Sequence, residues 1–165
     1  MKRRQALAGL GALAASATSI ARAQTASDAP VVFPAITLLD GTVWTSESWQ
    51  GRAAVVVLWA TWCPFCHRHN AHLDALYRSL GTRPLRVLGV ALDRDPEVVR
   101  RHVAQHGYQF PVAMGGEAWR TAFGLRRVTP TTLTFDRQSR LVQRIPGEMF
   151  EEDVMAFTRL AEGAR

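Results

Sequence analysis

The residues most able to do chemistry in this chain are Cys63 and Cys66, the only two cysteines among its 165 residues. They end the run Trp-Ala-Thr-Trp-Cys-Pro-Phe-Cys, which spans residues 59–66. Two cysteines at this spacing can form a disulfide with each other, and as thiolates they can attack a disulfide in another molecule. The same spacing also serves metal binding and, because His67 follows, the covalent attachment of haem. The surrounding sequence has to decide among these three chemistries.

The segments on either side of the motif predict how it is positioned. The apolar run at residues 53–60 is typical of a strand buried on both faces of a sheet. Pro64 suits the first turn of a helix, where its missing N–H costs nothing, and this helix should run to about Leu80 and end at Gly81. Cys63 would then lie at the helix N-terminus, where unpaired N–H groups and the helix dipole favour a negative sulfur.

This placement gives the two sulfurs different expected roles. A free thiol has a pKa near 8.5 and is mostly protonated at neutral pH, so the sulfur that the helix stabilises as a thiolate should be the nucleophile. We expect Cys63 at the exposed end to attack, and Cys66 on the inward face to resolve the mixed disulfide. Trp62 and Phe65 are expected to shield the sulfurs and to offer apolar contact to a partner.

A structural staple is the simpler use of two cysteines outside the cytoplasm. A disulfide that closes a loop of only two intervening residues constrains little of the unfolded chain, so it would stabilise little. The spacing therefore favours a redox-active disulfide over a structural one.

The rest of the chain alternates strands and helices, which predicts an α/β sheet with helices on both faces. An Asp-Gly turn at residues 40–41 predicts a hairpin within residues 36–44. The remaining predicted elements are strands at 85–92, 108–112, 131–135 and 141–145, and helices at 96–106, 117–124 and 150–160.

The N-terminus has the layout of a secretory signal. A basic start is followed by a mildly apolar run at residues 6–20 and by Ala-Arg-Ala at 21–23, so we expect residues 1–23 to be a signal peptide. The pair Arg3-Arg4 also allows a twin-arginine signal. An uncleaved membrane anchor stays open as an alternative. Either export route leads out of the cytoplasm.

Cleavage after residue 23 would change the net charge of the chain. The whole chain has a formal charge of +6, from 20 basic and 14 acidic residues. Four of the basic residues precede the cleavage site, which leaves 16 against 14, or +2. No dense basic stripe remains, so a nucleic-acid partner is not indicated. Residues 27–165 are expected to form one domain.

Two motifs together resemble a known family. The run at residues 59–66 after a Val-rich strand resembles the thioredoxin fold. With the export signal, the hairpin and Val-Thr-Pro-Thr-Thr at 128–132, the chain is similar to the TlpA/ResA-like periplasmic thioredoxins over about residues 33–160. The resemblance implies a thioredoxin fold, with a central mixed β-sheet, helices on both faces and an N-terminal β-hairpin extension.

The resemblance also implies a function. It suggests an exported thiol–disulfide oxidoreductase that reduces disulfides in client proteins, such as those awaiting haem in cytochrome c maturation or awaiting copper. A membrane thiol electron donor of the DsbD or CcdA kind would keep the pair reduced. The protein would be a monomer and would need no cofactor or metal.

The same resemblance singles out Thr129 and Pro130. It implies that the bond between them is cis and faces the cysteines, whereas the residues alone leave a trans proline at the start of a strand open. Because proline has no N–H, the peptide at Thr129 would stay free to pair with a substrate strand. The pair Arg126-Arg127 just before it could then border the docking surface and favour acidic partners.

His69 is the position at which the chain departs from this family. Relatives commonly carry Glu three residues after the second cysteine, and His69 stands there on the predicted buried face of the helix. It could exchange a proton with Cys66, or it could be a satisfied core histidine. If protonated, it would stabilise a thiolate and make the pair more oxidising, which leaves a DsbA-like oxidase as an alternative function.

A haem or copper carrier is the alternative from another class of protein. Cys63, Cys66 and nearby histidines could supply ligands. However, His67 and His69 should lie about 200° apart around the helix and cannot both converge on one ion. His102 and His106 form an i,i+4 pair without a further predicted ligand. We therefore expect these two histidines to be ordinary surface or core residues.

Overall fold

A computed structural model of the protein describes residues 29–33 and 35–162, so the predicted signal peptide at residues 1–23 lies outside the described residues. No helix in the described part is long and apolar enough to cross a membrane. The elements in chain order are β1 (Ile36–Thr37), β2 (Val43–Trp44), β3 (Ala53–Trp59), α1 (Pro64–Ser79), β4 (Leu85–Ala91), α2 (Pro96–His106), β5 (Val112–Met114), α3 (Gly116–Ala122), β6 (Thr131–Phe135), β7 (Leu141–Pro146), α4 (Glu151–Met155) and α5 (Thr158–Glu162).

The core of the molecule is a mixed five-stranded sheet in the order β5-β4-β3-β6-β7. Strands β3, β4 and β5 run parallel, whereas β6 and β7 run antiparallel to their neighbours. All seven residues of β3 are buried, as its continuous apolar run predicts for a central strand. Its side chains alternate between two separate clusters, one on each face of the sheet.

Helices cover both faces of this sheet, as predicted. One cluster takes residues from α1, α2, α4 and α5. The other packs α3 and the N-terminal segment against the opposite face, and it contains the aromatic side chains of Phe33, Trp44, Trp49 and Trp119. Trp49 and Phe33 stack with their ring centroids 4.2 Å apart. The tryptophans at 44, 49, 59 and 119 are all buried.

The predicted N-terminal hairpin is present. β1 and β2 pair antiparallel, and the Asp40 carboxylate accepts the backbone N–H of Thr42 at 2.8 Å. Gly41 has φ +88°, a conformation that glycine adopts without a side-chain clash. The backbone N–H of Leu39 donates to Val112 at 2.8 Å, which attaches the hairpin to the β5 edge of the sheet.

The predicted strand at residues 108–112 is wrong: β5 covers Val112–Met114 instead. The reason is the buried Asp74 on α1. Its carboxylate accepts the backbone N–H groups of Gln109 and Phe110, so these groups are not available to a strand ladder.

The predicted closing helix at residues 150–160 is two short helices, α4 and α5. Between them, the backbone N–H of Phe157 donates to the carbonyl of Val154, three residues back. The Thr158 hydroxyl donates to the Met155 carbonyl at 2.9 Å. Both contacts replace the regular i→i−4 bonds, and the break buries Phe157 in the core.

Candidate active site

The cysteine motif stands where β3 meets α1. Cys63 is the N-cap residue of α1, and Pro64 occupies the first helical position, as predicted. The backbone N–H of Cys66 donates to the Cys63 sulfur at 3.2 Å. A helix N-cap normally offers an oxygen to these unpaired N–H groups, and here a sulfur takes that place. An N–H donated to sulfur favours the thiolate, so the local geometry makes Cys63 the better nucleophile.

Cys66 lies on the inward face of α1 and is fully buried. Burial and then its hydrogen bond with Cys63 raise the pKa of the Cys66 thiol well above its ordinary range. Cys66 therefore stays protonated while Cys63 is a free thiol or thiolate. The two sulfurs differ in the sense that the sequence predicts.

The predicted exposure of Cys63 is wrong, because only 4% of this residue is accessible. The carbonyl oxygen of Thr129 lies 3.5 Å from its sulfur and accepts the S–H. The chain around Thr129 therefore packs directly against the nucleophile, a contact between residues 66 positions apart that helix geometry alone does not reveal.

The segment that packs against Cys63 carries the proline expected from the resemblance. The Thr129–Pro130 peptide bond is cis, as that resemblance implies. The Pro130 carbonyl accepts the N–H of Gly147 at 2.8 Å, which fixes the segment to the end of β7. No described residue accepts the backbone N–H of Thr129.

Apolar side chains remain exposed around the nearly buried sulfur. Trp62 is 69% exposed and Phe65 is 54% exposed, while Val128 is also exposed on the side of Thr129. Single exposed apolar residues are ordinary on a protein surface, but three beside one reactive group offer an apolar contact area. This fits the expected contact of Trp62 and Phe65 with a partner.

Thr61, two residues before Cys63, is held at all three of its polar groups. Its N–H and hydroxyl donate to the Asp93 carboxylate at 3.0 and 2.6 Å. Its carbonyl lies 3.0 Å from Nε2 of His67 on α1. The turn that presents Cys63 is therefore anchored both to the end of β4 and to the first turn of the helix.

Sequence reasoning missed Asp93, although a signal for it exists. β3 and β4 are parallel neighbours, and Trp59 is in register with Ala91. Thr61 and Asp93 each lie two residues past these partners, so the strand ends bring them to the same edge of the sheet. An acidic residue two positions after a parallel strand is therefore a candidate contact for the motif at this edge of the sheet.

His69 is fully buried and makes two hydrogen bonds, neither of them with Cys66. The backbone N–H of Met149 donates to its Nδ1 at 3.2 Å, and its Nε2 lies 3.1 Å from the Thr132 hydroxyl. Because Nδ1 accepts, the ring proton of the neutral form lies on Nε2 and points at Thr132. His69 thus joins α1 to β6 and to the segment after β7.

The electrostatics of His69 follow from this position. Burial, and then the neighbouring His72, lower its pKa to about 4. A proton on Nδ1 would also break the bond from Met149. The ring is therefore neutral near pH 7, so the hypothesis of a protonated His69 that stabilises a thiolate lacks its premise. The geometry favours the satisfied core histidine.

A second group of histidines lies on the other side of α1. His67 from α1 and the pair His102 and His106 from α2 come together, with ring centroids 4.1 to 5.2 Å apart. The sequence had not linked His67 to this pair. Burial, and then the neighbouring His106 and His67, lower the pKa of His102 to about 4.

These histidines are stacked and tilted rather than convergent. His102 and His106 stack with an interplanar angle of 27°, and Nδ1 of His106 is bound to the His102 carbonyl. Within residues 29–33 and 35–162, no group of three His, Cys, Asp or Glu side chains is arranged to hold a metal ion. His67 and His69 face opposite sides of α1, as their helical spacing predicts.

Comparisons with known proteins agree with this geometry. Residues 25–158 match the family described as Redoxin. The thiol-disulfide oxidoreductase ResA of Bacillus thuringiensis is 25% identical over 126 residues, which cover 75% of this chain and 72% of the relative. ResA of Halalkalibacterium halodurans is 28% identical over 67% of this chain and 63% of its own.

Solved structures include a similar protein from Chlorobium tepidum, described as a thiol:disulfide interchange protein of the thioredoxin family. It aligns with a TM-score of 0.72 and 25% identity, and the match covers 83% of this chain and all of that one.

Proposed function

The chain belongs to the Redoxin family and is a thioredoxin-like thiol–disulfide oxidoreductase, and we propose that it reduces disulfides of client proteins through Cys63 and Cys66. One observation carries this proposal. The Cys63 sulfur caps α1, accepts the N–H of Cys66 at 3.2 Å and lies beside the Thr129 carbonyl at 3.5 Å. The N–H of Cys66 is directed at the sulfur that would attack, whereas the Thr129 carbonyl accepts the S–H of the thiol form. A client segment docked along Thr129 would therefore lie beside the nucleophile.

The first step is attack by the Cys63 thiolate on one sulfur of a client disulfide. The client S–S bond breaks, a bond between Cys63 and the client sulfur forms, and the second client sulfur leaves as a thiolate that takes a proton from solvent. The helix N-terminus lowers the cost of the starting thiolate. The cap geometry therefore acts on this step.

The second step is attack by Cys66 on the sulfur of Cys63. The mixed disulfide breaks, the Cys63–Cys66 disulfide forms, and the client leaves as a thiolate that takes up the proton from Cys66. While Cys63 is free, its hydrogen bond and its charge help to raise the pKa of Cys66. Both disappear once Cys63 is bound to the client, so Cys66 ionises more easily when its attack is needed.

The peptide before Pro130 has a proposed part in binding. Proline offers no N–H, and no described residue accepts the N–H of Thr129. An extended client segment can therefore pair its main chain with Thr129 beside the sulfur. Trp62, Phe65 and Val128 would add apolar contacts on both sides.

The proposed location is supported by the N-terminal sequence, and the proposed partners are supported by the family resemblance. The basic, apolar and Ala-Arg-Ala regions within residues 1–23 support export to the periplasm, with an uncleaved anchor as the alternative. There the protein would act as a monomer on clients such as those in cytochrome c maturation. Two electrons and two protons leave the dithiol in each cycle, so a membrane thiol donor of the DsbD or CcdA kind would have to return them.

The in-cell redox state of the pair tests the proposed direction. Thiol trapping in acid-quenched cells should find Cys63 and Cys66 mostly reduced, and deletion of the membrane donor should make them oxidised. A pair that is mostly oxidised in cells with the donor would contradict a reductase and favour a DsbA-like oxidase. A Soret band or stoichiometric copper in the purified protein would contradict thiol exchange as the main function.

A further inference from the structure

Two arginines next to the proposed docking segment have no acidic partner among the described residues. Arg126 and Arg127 are exposed and directly precede Val128 and Thr129. They take part in none of the ion pairs found in the described part of the chain. Two neighbouring cations therefore stand on the surface without a counter-charge.

These charges lie close enough to the nucleophile to act on a client. Thr129 contacts the Cys63 sulfur, and the Cα atom of Arg127 is at most about 7 Å from that of Thr129 along the chain. The Debye length is about 8 Å at physiological salt, so a charge on a client segment paired with Thr129 can come within the screening range of these guanidinium groups.

Two other arginines near the motif form ion pairs. Arg68 forms an ion pair with Glu148 at 2.6 Å, and Arg120, which reaches the Thr129 hydroxyl, forms one with Glu117 at 3.1 Å. The unbalanced positive charge on this side of Cys63 therefore comes from Arg126 and Arg127.

The opposite side of the motif has a different charge. β4 and β6 flank β3 on its two sides, and Asp93 follows β4 whereas Arg126 and Arg127 precede β6. The Asp93 carboxylate is turned toward Thr61, to which it is bound twice. Arg94 and Asp95 follow Asp93, so residues 93–95 carry a net formal charge of −1, whereas residues 126–127 carry +2.

We propose that Arg126 and Arg127 select client disulfides whose reactive cysteine is flanked by acidic residues on the segment that lies along residues 127–129. Val128, exposed between these arginines and Thr129, adds a place for an apolar client residue. This inference rests on the proposed function, since it names the substrate class of that same site. Charge complementarity acts mainly on the rate of association, so salt should weaken it.

The test uses three disulfide-linked peptides that differ only beside the cysteine, with Glu, Lys or Ser flanks. The pre-reduced protein is mixed with each peptide, and acid quenching with thiol trapping gives the second-order rate constant for oxidation of the Cys63–Cys66 pair. At low salt we expect the Glu peptide to react at least about tenfold faster than the Lys peptide, with the preference mostly lost in 0.5 M salt.

The variant R126Q/R127Q should lose most of this preference. The matched control is R52Q/R83Q, which removes the same charge from exposed positions just before β3 and β4. These positions are separated from Cys63 by strands of seven residues, about 23 Å, and the control should keep the preference.

Two results would overturn the inference while leaving the proposed function intact: equal rates for the Glu and Lys peptides, or an equal loss of preference in the control. If none of the three peptides is reduced, the proposed function fails and the inference with it.

Discussion

Cys63 and Cys66 are one helical turn apart, yet the structure around each is of a different kind. Cys63 belongs to a turn whose contacts reach loops: Thr61 is bound to Asp93, and the sulfur touches Thr129. Cys66 lies in the first turn of α1 on its inward face, and the next turn of that face carries His69, which is bound to β6 and to the segment after β7.

This difference divides the chemistry between the two sulfurs. The Cys63 side receives a backbone N–H and borders exposed apolar side chains, so it suits a thiolate and an incoming client. The Cys66 side is buried, so its thiol keeps its proton until Cys63 has reacted. A helix N-cap can supply only one such position, because the unpaired N–H groups converge on one end of the helix.

Exchanging each cysteine for serine tests the division most severely. Cys63→Ser should lower client reduction to the background of uncatalysed exchange and trap no mixed disulfide, since the stabilised nucleophile is gone. Cys66→Ser should accumulate mixed disulfides between Cys63 and clients, seen on non-reducing gels. Trapping by Cys63→Ser instead would mean that the two sulfurs have the opposite roles.

Removing the imidazole of His69 should lower the stability of the fold on the Cys66 side. His69→Ala leaves a cavity and two buried groups, the Met149 N–H and the Thr132 hydroxyl, without partners, so we expect a loss of about 3–5 kcal/mol in the free energy of unfolding. Urea denaturation measures this. The control is His72→Ala on the same helix, whose contact with Glu151 is long, at 3.8 Å, and partly exposed. A similarly small loss in free energy of unfolding for both variants would contradict a structural role for His69.

The pH dependence of stability should show that His69 is neutral. Its folded-state pKa is about 4 against 6.5 for an unperturbed histidine, so the unfolded chain binds more protons between these values. The contribution of His69 is then complete above pH 6.5 and is lost as the pH falls toward 4, by up to about 3 kcal/mol.

His69→Gln is the matched variant, because an amide can accept from Met149 and donate to Thr132 but does not titrate in this range. The free energy of unfolding of the original protein, relative to that of the Gln variant, should therefore fall as the pH decreases from 6.5 to 4. A constant difference would contradict a depressed pKa at His69.

The smallest expected effect concerns the turn on the Cys63 side. Thr61→Val keeps the backbone bond to Asp93 but loses the hydroxyl bond of 2.6 Å, so unfolding should require about 1 kcal/mol less. A looser turn should also hold Cys63 less well over the N–H of Cys66, and alkylation of Cys63 at pH 7 should slow by about two- to fivefold. Thr61→Ser keeps the hydroxyl, so its Cys63 should be alkylated as fast as in the original protein. Slow alkylation of the Ser variant as well would mean that the lost methyl group, and not the hydroxyl bond, causes the effect.

Much of the fold could be predicted because its signals are local. The buried run of β3, Pro64 after Cys63, the Asp95-Pro96 start of α2 and the Asp-Gly turn each act within a few residues. The errors occurred where distant groups decided the outcome. Asp74 takes the N–H groups of residues 109 and 110 and shifts β5, and the burial of Phe157 divides the last helix.

The sequence by itself determined the chemistry of the motif and its orientation: two cysteines, the helix that begins between them, and which of them faces inward. These follow from spacing and from the 3.6-residue period of a helix. The tertiary structure alone decided two sets of partners, namely Asp93 on Thr61, and Thr132 and Met149 on His69. The approach of Thr129 to Cys63 was expected only from the family resemblance. The tertiary structure also decided that His69 is neutral, because desolvation depends on what packs around a side chain and has no counterpart in residue spacing.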